Sequence, residues 1–267
     1  MIRAMTVEDL PAARALLGEV GLGGAIANIA RYLRWQPDGV WVAVEGGEVV
    51  GTVALLDQGA AAFVGAMAVA PARQGTGVGR RLLEHAHARG RAAGVTTFLL
   101  EATPRGAPLY RALGYVAEHE TIVATKVAAA PVGMAPFDGA LDEVVTLDAV
   151  ATGAARCAMV RALIAEGGPA VVVPGRDRDG GPRGYGLRVD DRLGPVIALD
   201  GDAGRALVAA LAPACAVVSV PAPNEAAVAA VVAHGFVEAR RLTRMRLGPP
   251  VGVRPTWVWA LANPGTG

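Results

Sequence analysis

The residues best placed to do chemistry are Gln74, Gly75, Thr76, Gly77, Val78, Gly79 and Arg80. They follow the apolar run Phe63–Val69 with Ala70-Pro71, and they lead straight into Val78, Leu82, Leu83 and Ala86 at helical spacing. A strand that passes through a glycine-rich loop into a helix brings backbone N–H groups close to a ligand. The helix start adds about half a positive charge. Such a segment can hold a pyrophosphate by its backbone, with Arg80 as an added cation. A Walker loop needs Gly-Lys-Ser/Thr, and the one lysine is Lys126, so that pattern fails. A dinucleotide fingerprint needs a third glycine where Arg80 stands. Glu101 does end an apolar run at about the distance for a ribose contact, so a nucleotide-dependent oxidoreductase stays open as a distant alternative.

The elements that must position this loop alternate between strand and helix. Ile2-Arg3-Ala4 begins a strand, and Thr6 caps a helix through Leu10, Leu16 and Leu17, with Glu8 and Asp9 in its first turn. A helix over Ile26–Trp35 stops before Pro37. Strands at Val40–Val44 and Val49–Leu56 flank the hairpin turn Glu45-Gly46-Gly47-Glu48. After the loop come a helix ending near Gly94, a strand at Val95–Leu100, a short helix over Leu109–Leu113 closed by Gly114, and a strand at Val116–Val127. Pro131, Gly133, Pro136 and Gly139 mark a linker over 128–140. The second half predicts helices over Cys157–Glu166, Ala203–Leu211 and Glu225–His234. Its strands fall at Ala170–Val173, Tyr185–Val189, Val196–Leu199, Ala216–Val220 and Arg240–Leu247. Two α/β (α+β) domains in tandem follow, 1–127 and 141–267.

Gln74, Gly77 and Gly79 fit every fixed position of Gln/Arg-x-x-Gly-x-Gly/Ala, the pyrophosphate loop of acyl-CoA enzymes. With Met67-Ala68-Val69-Ala70-Pro71 before it and Pro108-Leu109-Tyr110-Arg111-Ala112-Leu113-Gly114-Tyr115 after it, the first half resembles the GNAT superfamily of acyl-CoA-dependent N-acetyltransferases. The second half is similar to the C-terminal domain of a tandem subgroup, through Gly184–Arg188, Leu193–Ala198, Val220-Pro221, Asn224, His234-Gly235-Phe236 and Arg244-Met245. Where a second loop would lie stands Asp200-Gly201-Asp202-Ala203-Gly204-Arg205, whose aspartates would repel a pyrophosphate. One acyl-CoA site per chain is expected, in the first domain.

The resemblance implies two mixed, mostly antiparallel sheets flanked by helices, and attack of an amine on the thioester of acetyl-CoA. Cofactor contacts would fall to Met67, Val69 and the loop from Gln74 through Arg80, with no metal. Tyr110 stands where the family places its general acid. The strand Phe63–Val69 carries no carboxylate, so Glu101 on the neighbouring strand is the substitute for a general base. Thr103 stands where relatives often have an asparagine. The expected acceptor is a small-molecule amine. Alternatives are a protein or peptide N-acetyltransferase and a non-catalytic acyl-CoA-binding or sensor module.

Composition narrows the setting. Hydrophobic residues make up 53% of the 267 and aromatics 4%, so Ala, Val and Leu must fill the core. A formal net charge of +1 gives no electrostatic case for nucleic acid or a membrane surface. The uncharged run Ala206–Asn224 contains Pro213, Pro221 and Pro223, which would break a spanning helix. No signal peptide is apparent, and a cytoplasmic protein is expected, with a homodimer compatible with the sequence. Cys157 and Cys215 are expected as buried free thiols, and His85 and His87 as surface residues off metal-pair spacing. His119, between Glu118 and Glu120, is expected to be solvated. Asp138, Asp142, Glu143 and Asp148 read as a solvated charged face, and Trp35 as a pocket wall or a core residue.

Overall fold

The computed structural model describes residues 1–127, 141–166, 170–175 and 181–267. The chain sorts into two compact units, and the division is not the contiguous one that the sequence suggests. The first holds Met1–Ala117, Met245–Pro250 and Pro264–Thr266; the second holds Glu118–Arg244, Val251–Asn263 and Gly267. The expected linker over 128–140 lies outside the described residues.

In the first unit the chain forms β1 (Ile2–Ala4), α1 (Leu10–Glu19), α2 (Gly23–Trp35), β2 (Val40–Glu45), β3 (Glu48–Gln58), β4 (Ala61–Val69), α3 (Val78–Ala92), β5 (Thr97–Ala102) and α4 (Ala107–Ala112). Strands β1 to β4 pair antiparallel in chain order, and β5 joins β4 in parallel. Gly46 and Gly47 both take positive φ, 60° and 89°, which lets a two-residue turn follow the twist of β2 and β3. The apolar stripe of α3, Val78, Leu82, Leu83 and Ala86, packs on Val53, Leu55, Val64, Phe98 and Leu100. Met245 completes that core and is fully buried. Thr97 Oγ1 donates to the Pro249 carbonyl at 2.8 Å, and Gln58 Nε2 to the Thr266 carbonyl at 2.9 Å.

The second unit contains most of β6 (Val116–Thr125), then α5 (Leu141–Thr152), α6 (Cys157–Ala165), β7 (Ala170–Val173), β8 (Gly184–Val189), β9 (Arg192–Ala198), α7 (Gly201–Leu211), β10 (Val217–Pro221), α8 (Glu225–Ala233), β11 (Val237–Leu247) up to Arg244, and β12 (Val258–Ala260). Its strands run in the order β11-β6-β10-β9-β8-β7, with β12 beside β9. β10 pairs with β9 in parallel, whereas β6–β10, β9–β8, β8–β7 and β9–β12 are antiparallel. β6 from Glu118 onward falls here, where it pairs with β10 from Thr121↔Pro221 to Thr125↔Val217. Asp200 caps α7, accepting from the N–H groups of Asp202 and Ala203, and Asn224 caps α8 through the N–H of Ala227.

Several expectations about single residues need correction. Asp148 is not on a solvated face: it is 1% exposed and accepts from Arg156 Nε at 2.7 Å, Arg156 Nη2 at 2.9 Å and the Tyr185 hydroxyl. Asp142 and Glu143 are exposed as expected, and Asp138 lies outside the described residues. His87 is buried, because α3 turns it onto Phe98 and Tyr115. His85 and His119 are half-buried, the first edge-on to Trp41. Cys157 is exposed at the start of α6, whereas Cys215 is buried and its thiol pushed up to about 11 by burial. Trp35 is half-buried beside Tyr32. Among the described residues no helix is long and apolar enough to cross a membrane, and no cluster of metal-ligating side chains occurs.

Candidate functional site

The site begins with one extra residue in β4. The β3–β4 register passes from Ala54↔Gly65 to Thr52↔Ala68, which leaves Ala66 and Met67 opposite Val53. Ala66 takes φ +45°, and its carbonyl accepts from Thr52 Oγ1 at 2.6 Å, which fixes the bulge. The bulge reverses the facing of the strand. Before it Ala62 and Val64 point into the α3 core; after it Met67 and Val69 do. The parallel pairing of β4 with β5 stops at Phe63↔Leu99, although both strands continue. The two strands therefore part just where the chain leads into the glycine loop.

Beyond the bulge the loop turns at Gly75 (φ 78°) and Gly77 (φ 86°), backbone angles that favour glycine. Gly77 is the N-cap of α3, and the first backbone bond back onto it comes from Arg81 at 3.0 Å. The N–H groups of Val78, Gly79 and Arg80 thus have no helical acceptor and are available to an anion. Gly79 leaves room: a Cβ there would lie 3.1 Å from Leu109 Cδ2 and 3.2 Å from Met67 Cε. Gln74 reaches back, donating to the Val69 carbonyl at 2.9 Å, and its own Oε1 accepts from Arg105.

These groups enclose a cavity of about 470 Å3 in the first unit. Its wall brings together the predicted Met67, Val69, Gln74, Gly75, Gly77, Gly79, Arg80 and Tyr110. Val78 is not on the wall; its side chain is core, 1% exposed. Thr76 is off the wall too, its hydroxyl donating to the Arg73 carbonyl at 2.7 Å. Glu101 also lies off the wall. Strand alternation puts it with Leu99 on the face of β5 away from Phe98, Leu100 and Ala102. Sequence reasoning missed Arg73, Arg105, Leu109, Val20 and Leu22, which join the wall. Leu109 was signalled by its place beside Tyr110; the others come from loops with no period to reveal them. Of the added cations, Arg73 is paired with Glu45 at 3.0 Å.

Tyr110 sits on α4, whose first turn is held by Thr103: its Oγ1 accepts from the Gly106 N–H at 3.1 Å. The phenol is 8% exposed, and burial raises it above its ordinary range, so it keeps its proton. Among the described residues its hydroxyl has no hydrogen-bond partner, which leaves the proton free for the cavity. Tyr115 packs edge-on to it, ring centroids 5.6 Å apart, and is hydrogen-bonded to His87 Nε2 at 2.8 Å. Burial and the Arg91 charge bring His87 down to about 4.

A bulged, parting strand, a glycine loop opening a helix and a protonated phenol facing the same cavity define an acyltransferase of the GNAT type. Residues 36–117 match the Acetyltransferase (GNAT) domain, as does a second stretch, 144–258, and the chain belongs to this family with two such domains in tandem. Solved structures share the fold. A candidate acetyltransferase from Pyrococcus horikoshii is 21% identical at a TM-score of 0.86, over 100% of this chain and 95% of that one. A GCN5-related N-acetyltransferase from Sphaerobacter thermophilus is 18% identical at 0.64, over 95% and 98%. One from Anabaena variabilis is 15% identical at 0.58, over 92% and 72%. None of the curated proteins compared matches the sequence.

Proposed function

We propose that the chain is an acetyl-CoA-dependent N-acetyltransferase that acylates a primary amine of a small molecule, in the cytoplasm, with the site in its first domain. The observation that carries this reading is the cavity beside the bulged end of β4, lined by Met67, Val69, the glycine loop and Tyr110. The wall suits an acyl-CoA: N–H groups at the start of α3, the side-chain-free approach at Gly79, and cations at Arg80 and Arg105. Bound there, the donor supplies a thioester carbonyl open to an amine. Met67 and Val69 would lie along its arm, and the loop from Gln74 through Arg80 would hold its pyrophosphate. A backbone N–H of the bulged strand would serve as oxyanion donor.

Tyr110 would give its proton to the sulfur that leaves. The burial that raises the phenol would also raise a thiolate in the same cavity, which keeps the two matched for transfer. Glu101, off the wall on β5, would take the amine proton through a water. Calorimetric titration with acetyl-CoA, with NADH as control, tests the assignment, followed by an amine screen for released thiol. Binding of acetyl-CoA alone supports it; a folded protein that binds none sinks it. A second reading, an acyl-CoA-binding module without turnover, is favoured by a cavity wall that carries no carboxylate among the described residues. The amine screen separates the two, since a module releases no thiol.

A further inference from the structure

We propose that in the second domain the chain's own strand β12 holds the place that an acyl-CoA takes in the first. The slot there is a strand-binding groove with a permanent internal occupant, Val258–Ala262. The inference rests on the reading of the first-domain cavity given above, and it is carried by four features of the second unit alone.

First, β9 repeats the construction of β4. The β8–β9 register passes from Arg188↔Leu193 to Gly186↔Val196, so Gly194 and Pro195 stand opposite Leu187 as a bulge. Second, the parallel pairing of β9 with β10 stops at Leu193↔Val218, just as β4 leaves β5. In the first domain the cavity lies beside the parting end of β4, at Met67–Val69; here β12 runs into the parting itself. Val258 pairs with Ile197 and Ala260 with Val196, while on the other side the Leu261 N–H donates to the Ser219 carbonyl of β10 at 2.8 Å. The inserted strand thus satisfies backbone groups on both parted edges, the role a ligand's amide-bearing arm would otherwise fill.

Third, glycines are spent on fitting it. A Cβ on Gly194 would lie 2.1 Å from the Leu261 carbonyl oxygen, and one on Gly204 of α7 would lie 1.9 Å from the Trp259 ring. Trp259 is 1% exposed and sits in the core formed by Leu207, Val208, Val218 and Val220. Fourth, Asn224 fastens the strand at its entry, its Nδ2 donating to the carbonyls of Thr256 and Val258, both at 3.0 Å. The missing pyrophosphate loop is then one half of a matched change: Asp200 caps α7 where an anion would sit, and β12 fills the channel behind it.

Hydrogen exchange of the whole chain, with and without saturating acetyl-CoA, tests this. The amides of 258–262 should exchange at least about a hundredfold more slowly than exposed amides, as in a core strand. They should not respond to acetyl-CoA, whereas those of 75–80 gain protection. Fast exchange of 258–262 in the free protein, or its loss of protection with two acetyl-CoA bound per chain, would overturn the proposal. If 258–262 are protected but nothing responds at 75–80, the acetyl-CoA reading of the first domain fails while the filled groove stands. Gly204→Ala adds a second arm, because its Cβ must expel the indole. Tryptophan emission should shift to the red and protection at 258–262 should fall, with the response at 75–80 kept. Unchanged emission and protection would count against the proposal; should the variant not fold, the exchange of the unmodified chain decides.

Discussion

Tyr110 and His87 lie in one buried cluster of domain one but answer to different conditions. Tyr110 faces the cavity with a proton that burial makes hard to lose. Removing that hydroxyl while keeping the ring should leave acetyl-CoA affinity within about twofold and lower kcat by roughly a hundredfold, the lower range for a general acid. Tyr110→Phe assayed by steady-state kinetics and calorimetry checks this; an unchanged kcat would leave Tyr110 as packing alone. His87 is held neutral, its pKa lowered from 6.5 to about 4, mainly by burial. Between those values the unfolded chain binds the proton and the folded one does not, so stability must fall as pH drops from 6.5 towards 4. The full effect is on the order of 3 kcal/mol. Urea unfolding at pH 7 and pH 4.5 should show the loss, and His87→Phe should reduce the pH dependence in that window.

At the scale of elements the loop and the buried ion pair carry the strongest expectations. Gly77 caps α3 at φ +86°, so Gly77→Ala should cost about 1–2 kcal/mol and weaken acetyl-CoA binding, because the loop must leave its left-handed turn. Melting and titration of the variant measure both. In α5, Asp148 is almost sealed from water with Arg156 and Tyr185. Asp148→Ala strands a buried guanidinium and should cost about 3–5 kcal/mol, read from urea unfolding. That pair also marks what the sequence did and did not disclose. Strand and helix runs with a regular period, such as α3, β3 and β4, were legible nearly to the residue, and so was the glycine loop, since caps and periods are local. Helix α5 was not read, although Val144, Leu147, Asp148 and Ala151 form its buried stripe. Asp148 in that stripe looks like a surface charge until its partners arrive from 8 and 37 residues away. The β4 bulge and the three-residue β12 have no periodic signature, and the cavity wall from Val20, Leu22, Arg73 and Arg105 depends on tertiary approach.

At the scale of the whole molecule, the two domains do not each fold from one continuous stretch. The first core needs Met245, fully buried beside Leu82 and Phe98, and it draws backbone partners from Pro249 and Thr266. Burying a methionine contributes about 1.5–3 kcal/mol. Leaving Gln58, 4% exposed, without its acceptor costs about 1–3 kcal/mol more. Gly248 and Gly65 show how close the returning segments come: a Cβ on either would lie 2.2 Å from the Thr96 carbonyl or 2.4 Å from that of Gly265. These losses together are a large share of the roughly 5–15 kcal/mol that keeps a domain folded. A fragment ending at residue 127 contains the whole predicted cofactor loop, and on sequence grounds it should suffice for binding. On structural grounds it should unfold at markedly lower urea than the full chain, or without a cooperative transition, and bind acetyl-CoA poorly. Supplying residues 237–267 as a separate peptide should restore part of both. Equal stability of the fragment and the full chain would mean that Met245–Pro250 only decorates the first core, and the domain boundary would then revert to the contiguous one.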